Sequence, residues 1–343
     1  MQSLVNATEG EVQEVVSLIE RGYTATKIAE MMGMNERTVR LWRAKLKDGY
    51  KLVPRLEEFT VEDQPREIPP IEELIQERIR KFKYKEKPNE VNINVNIDGP
   101  IGIAHFGDPH IDDDGTDIER LLRHALIVKE TEGMFAGNVG DLQNNWVGRL
   151  AHLWSQQSTS AQEAWALTEY FVKLVPWLYL VRGNHDCWSG EGDPLDWIIG
   201  GNTVNAKHGV RIRLHFPNGS EITINARHSF RGHSQYNTTH AIAKAAQMGW
   251  DDDILVGGHT HVSGYQLIKN PKSGKLSHCL QIGSYKIYDR FAEEKGFADK
   301  NAFQCPVTII NPYAENPLNL VQVIFDPEVA AEYLNWIRTH GTK

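Results

Sequence analysis

Val181-Arg182-Gly183-Asn184-His185-Asp186 is the stretch that decides the reading of this chain. It continues an apolar run, Trp177 to Val181, of the length and composition expected of a buried strand. The chain leaves that strand through Gly183, so Asn184, His185 and Asp186 stand at its C-terminal end. In open α/β sheets that end is where ligands bind. Alone, Asn-His-Asp fits a polar turn equally well. Four further segments repeat the pattern, however. Ile101 to Gly107 ends in Asp108-Pro109-His110, and Met134 to Val139 ends in Gly140-Asp141. Glu221 to Ala226, with Ile222 and Ile224 on one face, ends at Arg227-His228. Ile254 to Val256 runs into Gly257-Gly258-His259-Thr260-His261. Five short strands thus each deliver an oxygen or imidazole ligand just past the same end, which packing alone does not require.

In this order, Asp108-x-His110, Gly140-Asp141, Gly183-Asn184-His185-Asp186, His228 and Gly258-His259-x-His261 resemble the motifs of the calcineurin-like metallophosphoesterase superfamily, from about residue 90 onward. The Gly-Asn-His-Asp and Gly-His-Thr-His blocks are the specific ones; Gly-Asp and His228 gain their meaning from the order. The resemblance implies an α/β (α+β) fold, a four-layered αββα sandwich, around two divalent ions. Carboxylates and imidazoles without thiolates suit such ions, manganese first, then iron, zinc, nickel or magnesium. Two ions roughly 3.5–4 Å apart clamp the attacking and leaving oxygens of an in-line displacement at phosphorus. The resemblance makes Asp141 the bridging carboxylate, gives one ion Asp108, His110 and His261, and gives the other Asn184, His228 and His259. It further implies that a water bridging the ions is the nucleophile. His185, left without a metal, is then the general acid, with Asp186 or another carboxylate orienting it.

Around that set the reading stays open in places. His233 lies five residues beyond His228 and competes with it as ligand; His228 is preferred because it directly ends a strand. Asn144, Asn145 and Arg149 follow the bridging aspartate as candidate phosphate contacts, and Tyr285 and Lys286 are candidate rim contacts. Asp112 and Asp113 read as turn formers, and Trp154 and Trp165 as core residues.

A chain of 343 residues exceeds the roughly 100–200 of one domain, so two are expected. Its 41% hydrophobic and 24% charged residues fit a globular protein with a full core. The net charge of −8 does not advertise a nucleic-acid binder as a whole, so such binding must come from local patches. Three cysteines without metal-type spacing, Cys187, Cys279 and Cys305, suit a reducing compartment. No signal peptide is evident, and the most apolar long window, Leu167 to Val181, is interrupted by Glu169, Lys173 and Pro176. A cytoplasmic protein without a membrane span is expected.

The first fifty residues form a unit of their own. Thr8 and Glu11 make a capping-box pair ahead of Val12, Val15, Val16 and Ile19 at helical spacing. A second helix from Thr24 carries Ile28, Ala29 and Met32, Gly33 turns the chain, and Asn35 caps a third helix with Val39, Trp42 and Leu46 inward. This resembles a helix-turn-helix DNA-binding domain of the resolvase or small-terminase kind. In that motif the last helix enters the major groove. Its candidate DNA contacts here are Arg37, Arg40, Arg43 and Lys45, beside an outward Glu36. Between residues 21 and 51 eight Lys and Arg face three acids, opposite in sign to the whole chain. A small protein-binding module is the plainer reading.

Residues 51–88 form a proline-rich linker and an amphipathic helix opened by Pro70, with Ile71, Leu74, Ile75, Ile79 and Phe82 on one stripe and a basic end. Helix termination, a second nucleic-acid contact and homo-oligomerisation all fit that helix. From 89 to 343 runs the catalytic domain. Val91 to Ile97 alternates as a strand expected to hairpin onto Ile101 to Phe106, and a helix from Thr116 to Glu132 opens with a Thr116/Glu119 capping box. Residues 148–174 read as long and helical, and hairpins turn at Asn218-Gly219 and Lys272-Ser273-Gly274. The leading expectation is a phage- or bacterial-type phosphodiesterase or nuclease acting on DNA. A phosphatase on nucleotides or phosphoproteins, and a DNA-binding regulator with a metal-sensing domain, are the alternatives.

Overall fold

The computed structural model describes residues 9–48, 69–85, 90–188, 194–234, 236–288, 290–296 and 298–341. The chain divides into two compact units, Met1–Glu86 and Lys87–Lys343.

The first unit holds α1 (Glu9–Glu20), α2 (Ala25–Met32), α3 (Glu36–Lys47) and α4 (Ile71–Lys85). Thr8, half of the expected capping box, lies outside the described residues. The two later starts are as local chemistry dictates. Thr24 Oγ1 accepts from Lys27 N and Asn35 Oδ1 from Arg37 N, each satisfying an amide that the helix cannot. Gly33, at φ 64°, supplies the left-handed residue that ends α2. Val12, Val15, Leu18, Ile28, Val39 and Trp42 close a small core, while Leu46 is half-buried. Most of the linker, residues 51–68 and 86–88, lies outside the described residues, and so does the Phe82 side chain.

The second unit runs β1 (Glu90–Asn94), β2 (Ile101–Phe106), α5 (Ile118–Glu130), β3 (Met134–Asn138), a 3-10 helix (Gly148–Gln156), α6 (Ala161–Leu174), β4 (Trp177–Arg182), α7 (Asn184–Cys187) and α8 (Leu195–Ile198). Then follow β5 (Val204–Lys207), β6 (Gly209–His215), β7 (Glu221–Arg227), α9 (His240–Gln247), β8 (Ile254–Gly257), β9 (Gly264–Lys269), β10 (Leu276–Gln281), α10 (Arg290–Lys295), β11 (Val307–Ile310), α11 (Pro317–Leu320), β12 (Val321–Ile324) and α12 (Pro327–His340). The strands form two six-stranded sheets, ordered β1-β6-β7-β8-β10-β9 and β12-β11-β2-β3-β4-β5.

Strand periodicity explains the layers. Ile101, Ile103, Val139 and Val181 of one sheet meet Ile212, Ile224, Val256 and Leu280 of the other in a common core. The opposite faces pack on helices. Ala104, Phe106 and Trp177 meet Leu121 of α5, Phe171 of α6 and Leu334 of α12, and Leu255 and Cys279 meet Ile242 of α9. The result is helix, sheet, sheet, helix.

Three local expectations are corrected. β1 does not hairpin onto β2; it pairs in parallel with β6, from Glu90 opposite Arg211 to Asn94 opposite His215, in the other sheet. β2 is buried on both faces and its two edges are taken by β3 and β11, so no edge remains for β1. α5 is capped by Asp117, which accepts from Arg120 N, because the Thr116 hydroxyl is committed to the His110 carbonyl at 2.7 Å. Residues 148–174 are helical in two pieces, the 3-10 helix and α6, which starts afresh at a Ser160/Glu163 capping box. Trp154 and Trp165 are half-buried there rather than central.

Candidate metal centre

β2, β3 and β4 run parallel, so the residues following Phe106, Asn138 and Arg182 emerge together. In the second sheet β7 and β8 are also parallel, and Gly258 N bonding to the His228 carbonyl joins their ends. The five loops converge closely enough that side chains are excluded between them. A Cβ on Gly183 would lie 2.0 Å from Asp141 Oδ1, and one on Gly140 would lie 2.5 Å from both Gly183 N and His228 Nδ1. Asp108, His110, Asp141, His259 and His261 all adopt positive φ, between 38° and 73°. That conformation costs a non-glycine residue free energy and is found where function requires it.

Three groups of donors come within 4.8 Å of one another: Asp108, His110 and His261; His110, Asp141 and His185; and Asp141, His228 and His259. Asp141 stands between the outer two. Its Oδ2 lies 3.3 Å from His228 Nε2 and 4.0 Å from Nε2 of both His110 and His185. Asn184 Oδ1 is 2.9 Å and His259 Nδ1 3.0 Å from His228 Nε2. On the other side His110 Nε2 faces His261 Nε2 at 3.2 Å. All the donors singled out in the sequence are therefore gathered in one place. His228, buried, is the histidine within it; His233 is exposed and outside these groups.

The donor set fits a divalent cation. Asp108 Oδ1 is buried without a hydrogen-bond partner, a costly state unless a ligand completes it. The His228 Nδ1 donates to the Val139 carbonyl at 2.8 Å, which fixes the tautomer and points the Nε2 lone pair inward. Electrostatics agree. Burial alone would raise the Asp141 carboxyl, but the hydrogen bond and charge of His228, with His185 and His110 beyond, hold it below the usual range. Burial would lower the His228 imidazole, yet Asp141 and Asp108 hold it above its usual range. Both shifts favour the carboxylate–imidazolium pair while no cation is bound. Burial pushes Asp108 up and His110 down.

The surroundings of His185 differ from expectation. Asp186 does not orient it: its carboxylate accepts from the amides of Asp141 at 2.7 Å, Gly183 at 2.8 Å and Leu142 at 3.1 Å, pinning two loops together. His185 Nδ1 instead donates to the Asn144 carbonyl at 2.6 Å. A peptide carbonyl belongs to no residue type, so no sequence signal could have marked it. The Asn144 side chain, fully buried, bonds Asp113 and Gln157 and is not free for phosphate. Asn145 bonds the His185 carbonyl, and the Arg149 side chain lies outside the described residues. Tyr285 is no rim contact; it is buried and bonded to His124, while Lys286 pairs with Asp113. Asp112, buried, holds the Asn144 amide. Trp146 and Trp188, unremarked in the sequence, lie against His185 with ring centroids 5.3 Å and 4.0 Å away.

In the first unit Arg37 and Arg40 are exposed, and Arg43 and Lys45 half-buried. Arg40 and Arg43 line an open groove of ≈ 420 Å³ with Thr24, Ala25, Thr26, Ala44 and Lys47. Lys47 was not among the expected contacts. Arg40 also pairs with Glu36. All three cysteines are free, with Cys279 and Cys305 buried. Among the described residues no helix is long and apolar enough to cross a membrane.

Comparison with known proteins follows these two units. Residues 101–263 match the calcineurin-like phosphoesterase family, and residues 6–53 the homeodomain-like domain family. No curated protein sequence matches the chain. Among solved structures, Vps29 from Entamoeba histolytica complexed with zinc is similar at 14% identity, covering 65% of this chain and 97% of that one with a TM-score of 0.33. Vps29 from Cryptosporidium parvum is similar at 15% identity, covering 67% and 98%, with a TM-score of 0.34. A predicted phosphoesterase from Streptococcus pneumoniae TIGR4 is similar at 14% identity, covering 67% and 100%, with a TM-score of 0.30. The chain thus carries a calcineurin-like phosphoesterase domain preceded by a homeodomain-like helix-turn-helix domain.

Proposed function

We propose that this protein is a dinuclear-metal-dependent phosphodiesterase, a nuclease acting on DNA in a bacterial or phage-infected cytoplasm. The observation carrying this reading is the convergence of Asp108, His110 and His261 on one side of Asp141, and of His228, His259 and Asn184 on the other. Asp141 is then the shared carboxylate. Manganese is the proposed metal, since the donors are oxygen and imidazole only. When bound, the two ions supply charge neutralisation at phosphorus and an activated water for in-line displacement.

The chain's own residues supply the rest. His185 has Nδ1–H committed to the Asn144 carbonyl, so Nε2 is the atom that can hand a proton to the departing oxygen as the P–O bond breaks. Trp188 and Trp146 limit water around that ring. Asp186 holds the Asp141 and Gly183 backbones in register.

DNA is favoured by the first unit. Arg40, Arg43 and Lys47 line a groove with Thr24, Ala25 and Thr26 at the start of α2, where phosphate oxygens would meet cationic side chains. A tethered DNA-binding domain raises the local substrate concentration at the attached site. The exposed Ile71, Ile75 and Ile79 of α4 support self-association through that helix.

Purified protein with Mn²⁺ is tested on labelled single- and double-stranded DNA, a bis-aryl phosphodiester and an aryl monophosphate. Cleaved DNA is the expected result. Monoester turnover with intact DNA would make it a phosphatase. Sequence-specific DNA retention with no turnover would make it a regulator.

A further inference from the structure

We propose that Gln157, a residue in the turn between the 3-10 helix and α6, is a positioning residue for His185. Its amide oxygen accepts from Asn144 Nδ2 at 3.0 Å and from Trp146 Nε1 at 2.8 Å. Its amide nitrogen donates to Asp112 Oδ2 at 3.0 Å and to the Thr159 carbonyl at 3.2 Å. The amide can sit only this way round. An indole nitrogen only donates, and a carboxylate or carbonyl only accepts, so a flipped amide would meet like with like.

Both residues bound to that oxygen touch the His185 ring. Asn144 provides the carbonyl that receives Nδ1–H. Trp146 stands edge to face with the imidazole. Asp112 ties the arrangement closed, because its other oxygen takes the Asn144 amide at 2.7 Å. One side chain therefore fixes the height of the carbonyl and the lateral position of the indole together. Among the described residues, neither Asn144 nor Trp146 has another side-chain bond that could do both. Asp113 reaches only the Asn144 amide, and Trp154 only the Trp146 carbonyl. The hydrogen bonds of Gln157 go to Asn144, Trp146, Asp112 and Thr159, none of them a donor gathered around Asp141, so its effect on those donors is indirect.

The inference rests on the reading that His185 protonates the leaving oxygen, and the experiment separates the two. A dinucleotide releases a sugar alkoxide, which needs a proton; bis(p-nitrophenyl) phosphate releases a nitrophenolate, which does not. In Gln157→Leu and Gln157→Met, kcat on the dinucleotide falls about 10- to 100-fold. With the nitrophenyl ester it falls less than about threefold, and KM and bound metal are unchanged. His185→Ala serves as the reference. If it shows no such leaving-group selectivity, the general-acid reading fails, whatever Gln157 does. If it is selective and the Gln157 variants are not, Gln157 only supports the fold and the proposal is overturned. Equal losses on both esters, or lost metal, overturn it too. A second readout needs no turnover. In metal-free protein labelled with ¹⁵N-histidine, the His185 Nδ1–H proton, assigned by its disappearance in His185→Ala, exchanges slowly in the wild type. It exchanges fast in both Gln157 variants; unchanged exchange would refute the positioning role.

Discussion

Replacing Asp186 tests whether one buried carboxylate holds the centre together. Its side chain is 1% exposed and receives three backbone N–H groups, two on Oδ2 and one on Oδ1. Burial and the nearby Asp141 carboxylate push its acid up to about 7, so the comparison belongs at pH 8, where the charge is present. Asp186→Asn can set its oxygen at the Oδ2 position and keep the Asp141 and Gly183 bonds. Its NH₂ then faces the Leu142 N–H, donor to donor. One buried amide left unsatisfied costs about 1–3 kcal/mol. At about 2–4 °C per kcal/mol for a unit of this size, the melting temperature of the metal-free protein falls by roughly 2–12 °C. Asp186→Ala strands all three amides, about 3–9 kcal/mol, against a typical total stability of about 5–15. It should be marginal or unfolded. Because the stranded amide is that of Leu142, the residue directly after Asp141, Mn²⁺ affinity in Asp186→Asn should drop about 10- to 100-fold. Thermal melts with and without Mn²⁺, with metal content measured after dialysis, read both effects. An Asp186→Asn protein that melts within a degree of wild type and retains its metal would refute the reasoning.

Further outcomes follow from the same geometry. In Gly183→Ala the new methyl meets Asp141 Oδ1 at 2.0 Å, so metal affinity should fall at least about tenfold by calorimetry; unchanged binding would show that these loops move apart freely. Burial lowers His124 to about 4, so the folded protein keeps it neutral while the unfolded chain takes up a proton below about 6.5. Its contribution, on the order of 3 kcal/mol, is whole above that pH and lost as pH falls toward 4. His124→Gln should therefore melt with a weaker acid dependence, and an identical pH profile would contradict this. Since Asp141 holds the His228 imidazole above its usual range in the metal-free site, Mn²⁺ uptake should release protons and weaken as pH falls, as titration in buffers of different ionisation enthalpy would show. Arg40→Ala and Lys47→Ala should each weaken DNA retention across sequences and lower the salt dependence by about one ion, measured by fluorescence anisotropy over a salt series; an unaltered salt slope would remove the groove from the DNA reading.

What the sequence determined by itself is whatever depends on neighbours along the chain. The caps Thr24 and Asn35 and the turn at Gly33 are short-range hydrogen bonding and backbone preference, and they stand where local rules put them. The same holds for the order of Asp108, His110, Asp141, Asn184, His185, His228, His259 and His261 behind apolar strands, because strand ends are set by periodicity and glycine. Local rules failed where two neighbours could serve equally: Thr116 and Asp117 both cap well, and the choice went to Asp117 because a distant carbonyl claimed the other hydroxyl. The alternation of Val91 and Ile93 showed a strand with one apolar face, but strand pairing is a contact between segments more than a hundred residues apart, and only assembly of the sheets gave β1 to β6. Tertiary structure alone decided the orientation of His185. The ring is bonded to a main-chain carbonyl, whose Asn144 side chain is in turn held by Gln157, and neither carries a signature in sequence because every residue has a backbone and a glutamine gains meaning only from what surrounds it.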